Sequence, residues 1–179
     1  MLGIVFTEFF EMVEEKFGYE MVDSLIELST SPSKGVYTSI GTYPHTEIVE
    51  HVVNLHKKTA ISIPDLLKTF GRYLHGTFAK NYSGFFDDAS NAFDFLESIE
   101  RYIHVEVKKL YPNAELPTFE SERIGDNQMI LNYKSDRRMG DFAFGLIEKT
   151  LEYYKEPAEI ILENVDADGS QVKFIITKS

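Results

Sequence analysis

The spacing of hydrophobic residues changes about two-thirds of the way along this chain of 179 residues. Up to about residue 111 the apolar residues recur three and four positions apart, which is the period of a helix with one buried face. Beyond residue 118 they tend to alternate with polar residues, as in a half-buried strand. A chain with both periods in separate parts is expected to adopt an α+β fold, in which helices and an antiparallel sheet are segregated.

The pattern also predicts where individual elements begin and end. Ser62 suits an N-cap, Pro64 fits the first turn of the helix after it, and Pro112 should end a long helix. The predicted helices cover residues 6–17, 19–28, 47–58, 63–78, 89–111 and 141–154. The predicted strands cover residues 118–123, 128–135, 159–164 and 171–177. Residues 30–44 should form a loop and residues 81–88 a break. We expect a helical N-terminal lobe and a mixed C-terminal lobe within one folding unit.

Composition excludes several functions. The chain has 18 basic and 29 acidic residues and a net charge of −11, so it should bind neither nucleic acid nor an anionic membrane surface. It has no cysteine, which excludes disulfides, thiolate nucleophiles and cysteine-ligated zinc. No segment approaches the roughly 20 apolar residues of a membrane span, and no basic leader precedes the first apolar segment. We therefore predict a cytoplasmic protein.

A row of polar residues near the end of the second predicted strand could bind carboxylates. In an extended strand the side chains of Tyr133, Ser135 and Arg137 point to the same face. Two hydroxyl groups and a guanidinium suit one or two carboxylates, because arginine binds them bidentately. The alternative is a solvent-facing polar strand with nothing bound, and the spacing alone does not exclude it.

His104 lies at the edge of the apolar stripe of the long predicted helix. Its neighbours four residues away are Glu100 and Lys108, and this pattern argues against zinc or a carboxylate-bridged metal pair. One histidine is enough to hold a heme iron, but a partly buried structural histidine would give the same pattern. The other four histidines are expected at the surface or at a rim.

The 14 phenylalanines and 10 tyrosines, with no tryptophan, also allow two interpretations. Most of them should form an ordinary core, and the alternative is an aromatic cavity around a large flat ligand. No phosphate-binding loop, serine nucleophile motif or catalytic carboxylate pair is present, so the sequence does not predict an enzyme.

Nearly the whole chain resembles the heme-nitric oxide/oxygen binding (H-NOX) family, in particular its stand-alone bacterial members. The pattern Tyr-x-Ser-x-Arg, preceded by a histidine at a distance of about 30 residues, is the most specific part of the resemblance. The other matching segments are residues 1–6, 35–38, 41–44, 70–73, 103–112, 115–117 and 145–148. The resemblance implies heme b between a helical distal subdomain of about residues 1–62 and a proximal subdomain of about 63–179.

The resemblance also implies residue roles. His104 matches the iron ligand, and Tyr133, Ser135 and Arg137 match the clamp on the heme propionates. Pro117 matches a proline that presses on the porphyrin. The wall of the gas-binding side is matched by Val5, Phe9, Leu74, Phe78, Phe142 and Leu146.

The function implied by the resemblance is that of a nitric oxide sensor. Family members that bind oxygen carry a tyrosine at the position of Phe142, so this chain is expected to bind NO and CO at a five-coordinate ferrous heme and to exclude O₂. Weakening of the bond between iron and His104, and relaxation of the heme, would then signal to a separate histidine kinase or diguanylate cyclase. Without cysteines, the zinc site of some bacterial members is not expected. An oxygen sensor, a heme peroxidase and a heme-free interaction module are the alternatives.

Overall fold

The computed structural model describes residues 1–179 and confirms the α+β fold. The helices are α1 (Gly3–Phe17), α2 (Tyr19–Leu28), α3 (His45–Thr59), α4 (Ile63–Asn81), α5 (Ser83–Asp87), α6 (Ala92–Ser98), α7 (His104–Leu110) and α8 (Gly140–Tyr153). The strands are β1 (Thr118–Ile124), β2 (Gln128–Lys134), β3 (Ala158–Asn164) and β4 (Gln171–Lys178). None of the helices combines the length and the hydropathy needed to cross a bilayer.

Most predicted elements are confirmed, but the single helix predicted over residues 89–111 is wrong. It begins at Ala92, where the Asn91 side chain accepts a bond from the Asp94 backbone N–H at 3.0 Å. It is then interrupted by a π-helical turn at Ile99–Ile103, in which the N–H of His104 bonds to the carbonyl of Ile99. The apolar stripe continues across this turn, so hydrophobic spacing does not reveal it. The predicted break at 81–88 contains the short helix α5.

The four strands form one antiparallel sheet in the order β1-β2-β4-β3. Phe119 of β1 pairs with Tyr133 of β2, and Leu131 of β2 pairs with Phe174 of β4. The buried face of the sheet carries Met129, Leu131 and Tyr133 of β2 and Phe174 of β4. These residues share a face because every second side chain of a strand points to the same side. Helix α8 lies between β2 and β3 in the chain and packs on this face.

The interior is divided into two cores. The first core contains residues of the four helices α1, α2, α3 and α4, and its fully buried members include Phe6, Phe9 and Phe70. The second joins α6, α8 and the sheet around Phe93 and Phe174. Because α4 contributes to the first core and also packs closely along α8, the subdomain boundary at residue 62 stays a prediction.

Helices α4 and α8 cross at two glycines, which allow their backbones to touch. A Cβ atom on Gly71 would lie 2.2 Å from the carbonyl oxygen of Phe142. One on Gly145 would lie 2.1 Å from the carbonyl oxygen of Lys68. Any side chain at either position would therefore force the two helices apart.

Candidate functional site

A cavity of about 250 Å³ lies between the two cores. Of the 27 residues in its wall, 20 are hydrophobic. Leu74 and Met139 of the first core line it together with Leu96 and Ile147 of the second. An apolar cavity with a few polar groups is the usual form of a site for a small ligand or a cofactor.

The imidazole of His104 lines this cavity. It follows the π-helical turn directly, as the first residue of α7. Its Nδ1 lies 3.1 Å from Oε2 of Glu100, and its ring centre lies 6.0 Å from that of Phe119. Only 13% of the side chain is exposed. Burial lowers the pKa of His104, and the bond to Glu100 opposes this shift without cancelling it, so the ring is neutral at pH 7.

The bond to Glu100 determines which nitrogen is available. A carboxylate can only accept, so Nδ1 of the neutral ring carries the proton and Nε2 keeps its lone pair. Nε2 makes no hydrogen bond in the structure. No group of three or more histidine or carboxylate side chains could hold a metal ion. His104 is therefore suited to be the one protein ligand of a metal whose other ligands come from a cofactor.

Tyr133, Ser135 and Arg137 all line the same cavity. The strand predicted over residues 128–135 ends one residue earlier, because β2 ends at Lys134 and a turn follows, so Ser135 and Arg137 do not lie in an extended strand. In this turn the backbone N–H of Arg137 donates to Oγ of Ser135 at 3.2 Å, and its guanidinium donates to the carbonyl of Glu115. The three side chains reach the cavity through the turn rather than by strand alternation alone.

Arg137 has no carboxylate partner. No ion pair involves it, although burial lowers its pKa. Tyr133 is 4% exposed, and its hydroxyl accepts a long bond of 3.4 Å from the Met139 N–H. A half-buried cation beside two hydroxyl groups is a binding arrangement for an anion, because an incoming carboxylate offsets the cost of removing the guanidinium from water.

The remaining predicted site residues are apolar. Pro117 lines the cavity after α7, and the other predicted members of the wall come from α1, α4 and α8. Those members are Val5, Leu74, Phe78, Phe142 and Leu146. None of these side chains can donate a hydrogen bond.

Phe9 lies elsewhere. It is 1% exposed in the first core, with its ring 5.3 Å from that of Phe70, which in turn lies 5.0 Å from Phe142. It therefore supports the wall from behind and does not line the cavity. The structure brings the other ten predicted residues together around one space.

Two of the four histidines expected at the surface or at a rim are buried, so that expectation was wrong for these two. His51 is fully buried and bonds through Nε2 to Tyr37 at 2.9 Å. His75 is 3% exposed and lines the cavity, where Nε2 is enclosed without a hydrogen-bond partner and the ring lies edge-on to Phe86 at 5.2 Å. Burial, together with the charge of Lys149, lowers the pKa of His75 to about 4.

Other wall residues were not predicted as site residues. Some belong to the apolar stripe that leads to His104, and the sequence pattern could have indicated them: Leu96, Ile99, Ile103 and Val107. His75 could have been found in the same way, because it lies three residues before Phe78 on one helix face. Met1, Leu2 and Ile4 carry no such signal.

The residues around the cavity fit heme. A porphyrin offers a flat apolar surface for the hydrophobic wall, an iron that needs an axial ligand, and two carboxylates. The neutral His104 ring with a free Nε2 matches the second of these requirements, and the unpaired Arg137 matches the third. Arg137 is the only arginine or lysine in the cavity wall.

Comparison with known proteins agrees with this fit. The sequence profile described as Haem-NO-binding matches residues 2–162. An unliganded Fe(II) H-NOX protein from K. algicida is 47% identical, with a TM-score of 0.96 over 100% of this chain and 97% of that one. The H-NOX from Shewanella woodyi, solved as its Fe(II)CO form, is 39% identical, with a TM-score of 0.85 over 100% and 95%.

A third similar structure is an H-NOX protein from S. oneidensis in its Fe(II)NO form. It is 26% identical and has a TM-score of 0.91 over 100% of this chain and 99% of that one. No curated protein sequence matches the chain.

Proposed function

Because the chain belongs to the haem-NO-binding (H-NOX) family of heme-based gas sensors, we propose that it is a nitric oxide sensor holding heme b between its two cores. When bound, the heme iron supplies the site at which a diatomic gas binds. The observation that carries the proposal is that one cavity contains both an imidazole with a free Nε2 and a group of side chains from α1, α4 and α8 that have no hydrogen-bond donor, namely Val5, Leu74, Phe78, Phe142 and Leu146.

The residues of this chain would hold the cofactor from two sides. His104 would bind the iron through Nε2, since Nδ1 is engaged by Glu100. Arg137, with the hydroxyl groups of Tyr133 and Ser135, would bind the propionates. Pro117, whose rigid ring lines the cavity seven residues after α7 ends, would press on the macrocycle.

The apolar wall favours NO over O₂. Oxygen bound to ferrous iron gains negative charge and needs a hydrogen-bond donor, whereas NO binds ferrous iron without one. Phe142, Leu74 and Leu146 offer no donor. The Nε2 atom of His75 is enclosed by protein and therefore does not supply one. The NO and CO forms in which the relatives from S. oneidensis and S. woodyi were solved support these gases as ligands.

His104 would also pass on the signal. It lies between the π-helical turn and the rest of α7, and the same region contacts β1. Weakening of its bond to the iron would release α7, let the heme relax and shift the two cores against each other. The recipient is a separate signalling protein, either a histidine kinase or a diguanylate cyclase. The location of the sensor in the cytoplasm is proposed from the sequence alone.

Absorption spectra test the proposal. The purified, heme-loaded protein should have the Soret band of a five-coordinate ferrous heme, form complexes with CO and NO, and form no lasting oxyferrous complex in air. A persistent oxyferrous spectrum would favour an oxygen sensor. A colourless protein expressed with ample heme would favour a heme-free interaction module.

A substitution separates the role of His104 from general heme binding. His104→Gly supplemented with imidazole should hold heme without a tether to the chain and give the partner protein the same response as NO. His56→Gly removes a histidine on α3, outside the cavity, and should behave like the wild type. If the imidazole-supplemented protein acted on the partner like the unliganded wild type, the tether mechanism would fail.

A further inference from the structure

Glu100 makes two hydrogen bonds with a single oxygen atom. Oε2 lies 3.1 Å from Nδ1 of His104 and 3.1 Å from the backbone nitrogen of Phe119. The residue belongs to the π-helical turn, and Phe119 belongs to β1. One carboxylate oxygen of the π-helical turn is therefore hydrogen-bonded both to the cavity histidine and to the first strand of the sheet.

This arrangement contributes little to stability. The Glu100 side chain is 40% exposed, so water already solvates its carboxylate and the bond to a neutral ring adds little free energy. Its effect on the imidazole is larger, because a carboxylate at Nδ1–H fixes the tautomer and increases the electron density at Nε2. Removing such a partner from a metal-binding histidine typically weakens the metal site about 10- to 100-fold.

The second bond connects the histidine to the residues predicted to hold the propionates. Phe119 pairs with Tyr133 across β1 and β2, and their rings lie 5.5 Å apart. The ring of Phe119 also lies 6.0 Å from that of His104. Glu100 and Phe119 thus form a continuous series of contacts from His104 to strand β2, which ends beside Ser135 and Arg137.

We infer that Glu100 is a positioning residue that sets the strength of the bond between His104 and the iron. The inference rests on the proposed function, in which His104 is the axial ligand. Lys108, four residues after His104, acts on the imidazole with the opposite sign. Glu100 is the only carboxylate that hydrogen-bonds to this imidazole.

The variant Glu100→Gln tests the inference in the heme-loaded protein. The amide keeps the size of the side chain but accepts more weakly, so the iron–histidine stretching frequency in resonance Raman spectra of the ferrous protein should fall. The Fe(III)/Fe(II) midpoint potential should rise, because a negative charge beside the iron ligand is lost. A tenfold change in the ratio of the two oxidation states corresponds to about 59 mV for one electron.

Glu106→Gln is the matched control. Glu106 lies on α7, which directly follows the π-helical turn, and it pairs with Lys109 at 2.6 Å and does not bond to His104. Glu106→Gln removes the same charge six residues further along the chain, so both the frequency and the potential should stay at the wild-type values. Glu100→Asp is the second variant, since it keeps the charge but is too short for both bonds, and its stretching frequency should fall as in Glu100→Gln.

The outcomes distinguish this inference from the proposed function. A wild-type protein without histidine-ligated ferrous heme would contradict the proposed function itself. A histidine-ligated wild type whose frequency and potential are unchanged in Glu100→Gln and Glu100→Asp would overturn only the role of Glu100. Equal shifts in Glu106→Gln and Glu100→Gln would also overturn it, because the effect would then be one of net charge.

Discussion

Replacing Gly145 with alanine should destabilise the junction of α4 and α8. The added Cβ would lie 2.1 Å from the carbonyl oxygen of Lys68, whereas ordinary contact begins at 3.4 Å. The helices must then separate by about 1.3 Å, the difference between these distances, because neither the backbone carbonyl nor the Cβ can rotate away. Overpacking of this kind costs about 1–3 kcal/mol.

The melting temperature gives the measurement. In a protein of this size a loss of 1 kcal/mol lowers the midpoint by about 2–4 °C, so circular dichroism should show a decrease of about 2–12 °C for the heme-loaded variant. Gly76→Ala is the matched control, because Gly76 lies on α4 with nothing within 4 Å of the added atom. There alanine should stabilise the helix by up to about 1 kcal/mol. A melting temperature of Gly145→Ala at or above the wild-type value would refute the close-contact argument.

Three further predictions concern the cavity. Phe142→Tyr adds a hydrogen-bond donor to the apolar wall. A hydrogen bond to a charged ligand contributes about 1.5–3 kcal/mol, so O₂ should bind about 10- to 150-fold more tightly and give an oxyferrous spectrum in air. The absence of an oxyferrous spectrum would contradict the selectivity argument. The pKa of His75 is lowered from 6.5 to about 4 in the folded state. Unfolded chains therefore take up this proton first as the pH falls, and about 3 kcal/mol of stability should be lost between pH 6.5 and 4. His75→Leu should remove this loss in urea denaturation at several pH values, and an unchanged pH dependence would contradict it. Arg137→Met should speed the transfer of heme to a competing apoprotein about tenfold or more, while Arg138→Met, which removes an exposed pair with Asp168, should not; equal rates for the two variants would contradict the role of Arg137.

Hydrophobic spacing was sufficient to predict the α+β fold class. The helical and strand periods predicted the four strands, the helices of the N-terminal lobe and the helix between β2 and β3. Spacing could not reveal the π-helical turn, because one extra residue per turn keeps Ile99 and Ile103 on an apolar side. It also could not reveal α5, whose Ser83 and Gly84 are typical of a break.

The sequence predicted some parts of the candidate site and not others. Local patterns identified His104 and Arg137 as candidates, but only the resemblance to a family gave them a common ligand. The sequence could not predict how far each side chain lies from the cavity. Phe9 was therefore expected in the cavity wall, whereas it packs behind that wall against Phe70. Glu100 was visible as the residue four positions before His104, and this spacing permits a contact on a helix, but its second bond to Phe119 depends on the tertiary fold.

The π-helical turn takes up one residue more than an α-helix would need over the segment 99–103. Each residue of an α-helix rotates the chain by about 100°. Deleting one residue from α6 would therefore swing the His104 ring by about that angle relative to the start of α6, whereas deleting one from the turn would join α6 and α7 into a single regular helix and keep the ring on its side. Among descendants of this gene, single-codon losses should be commoner in the turn than in α6.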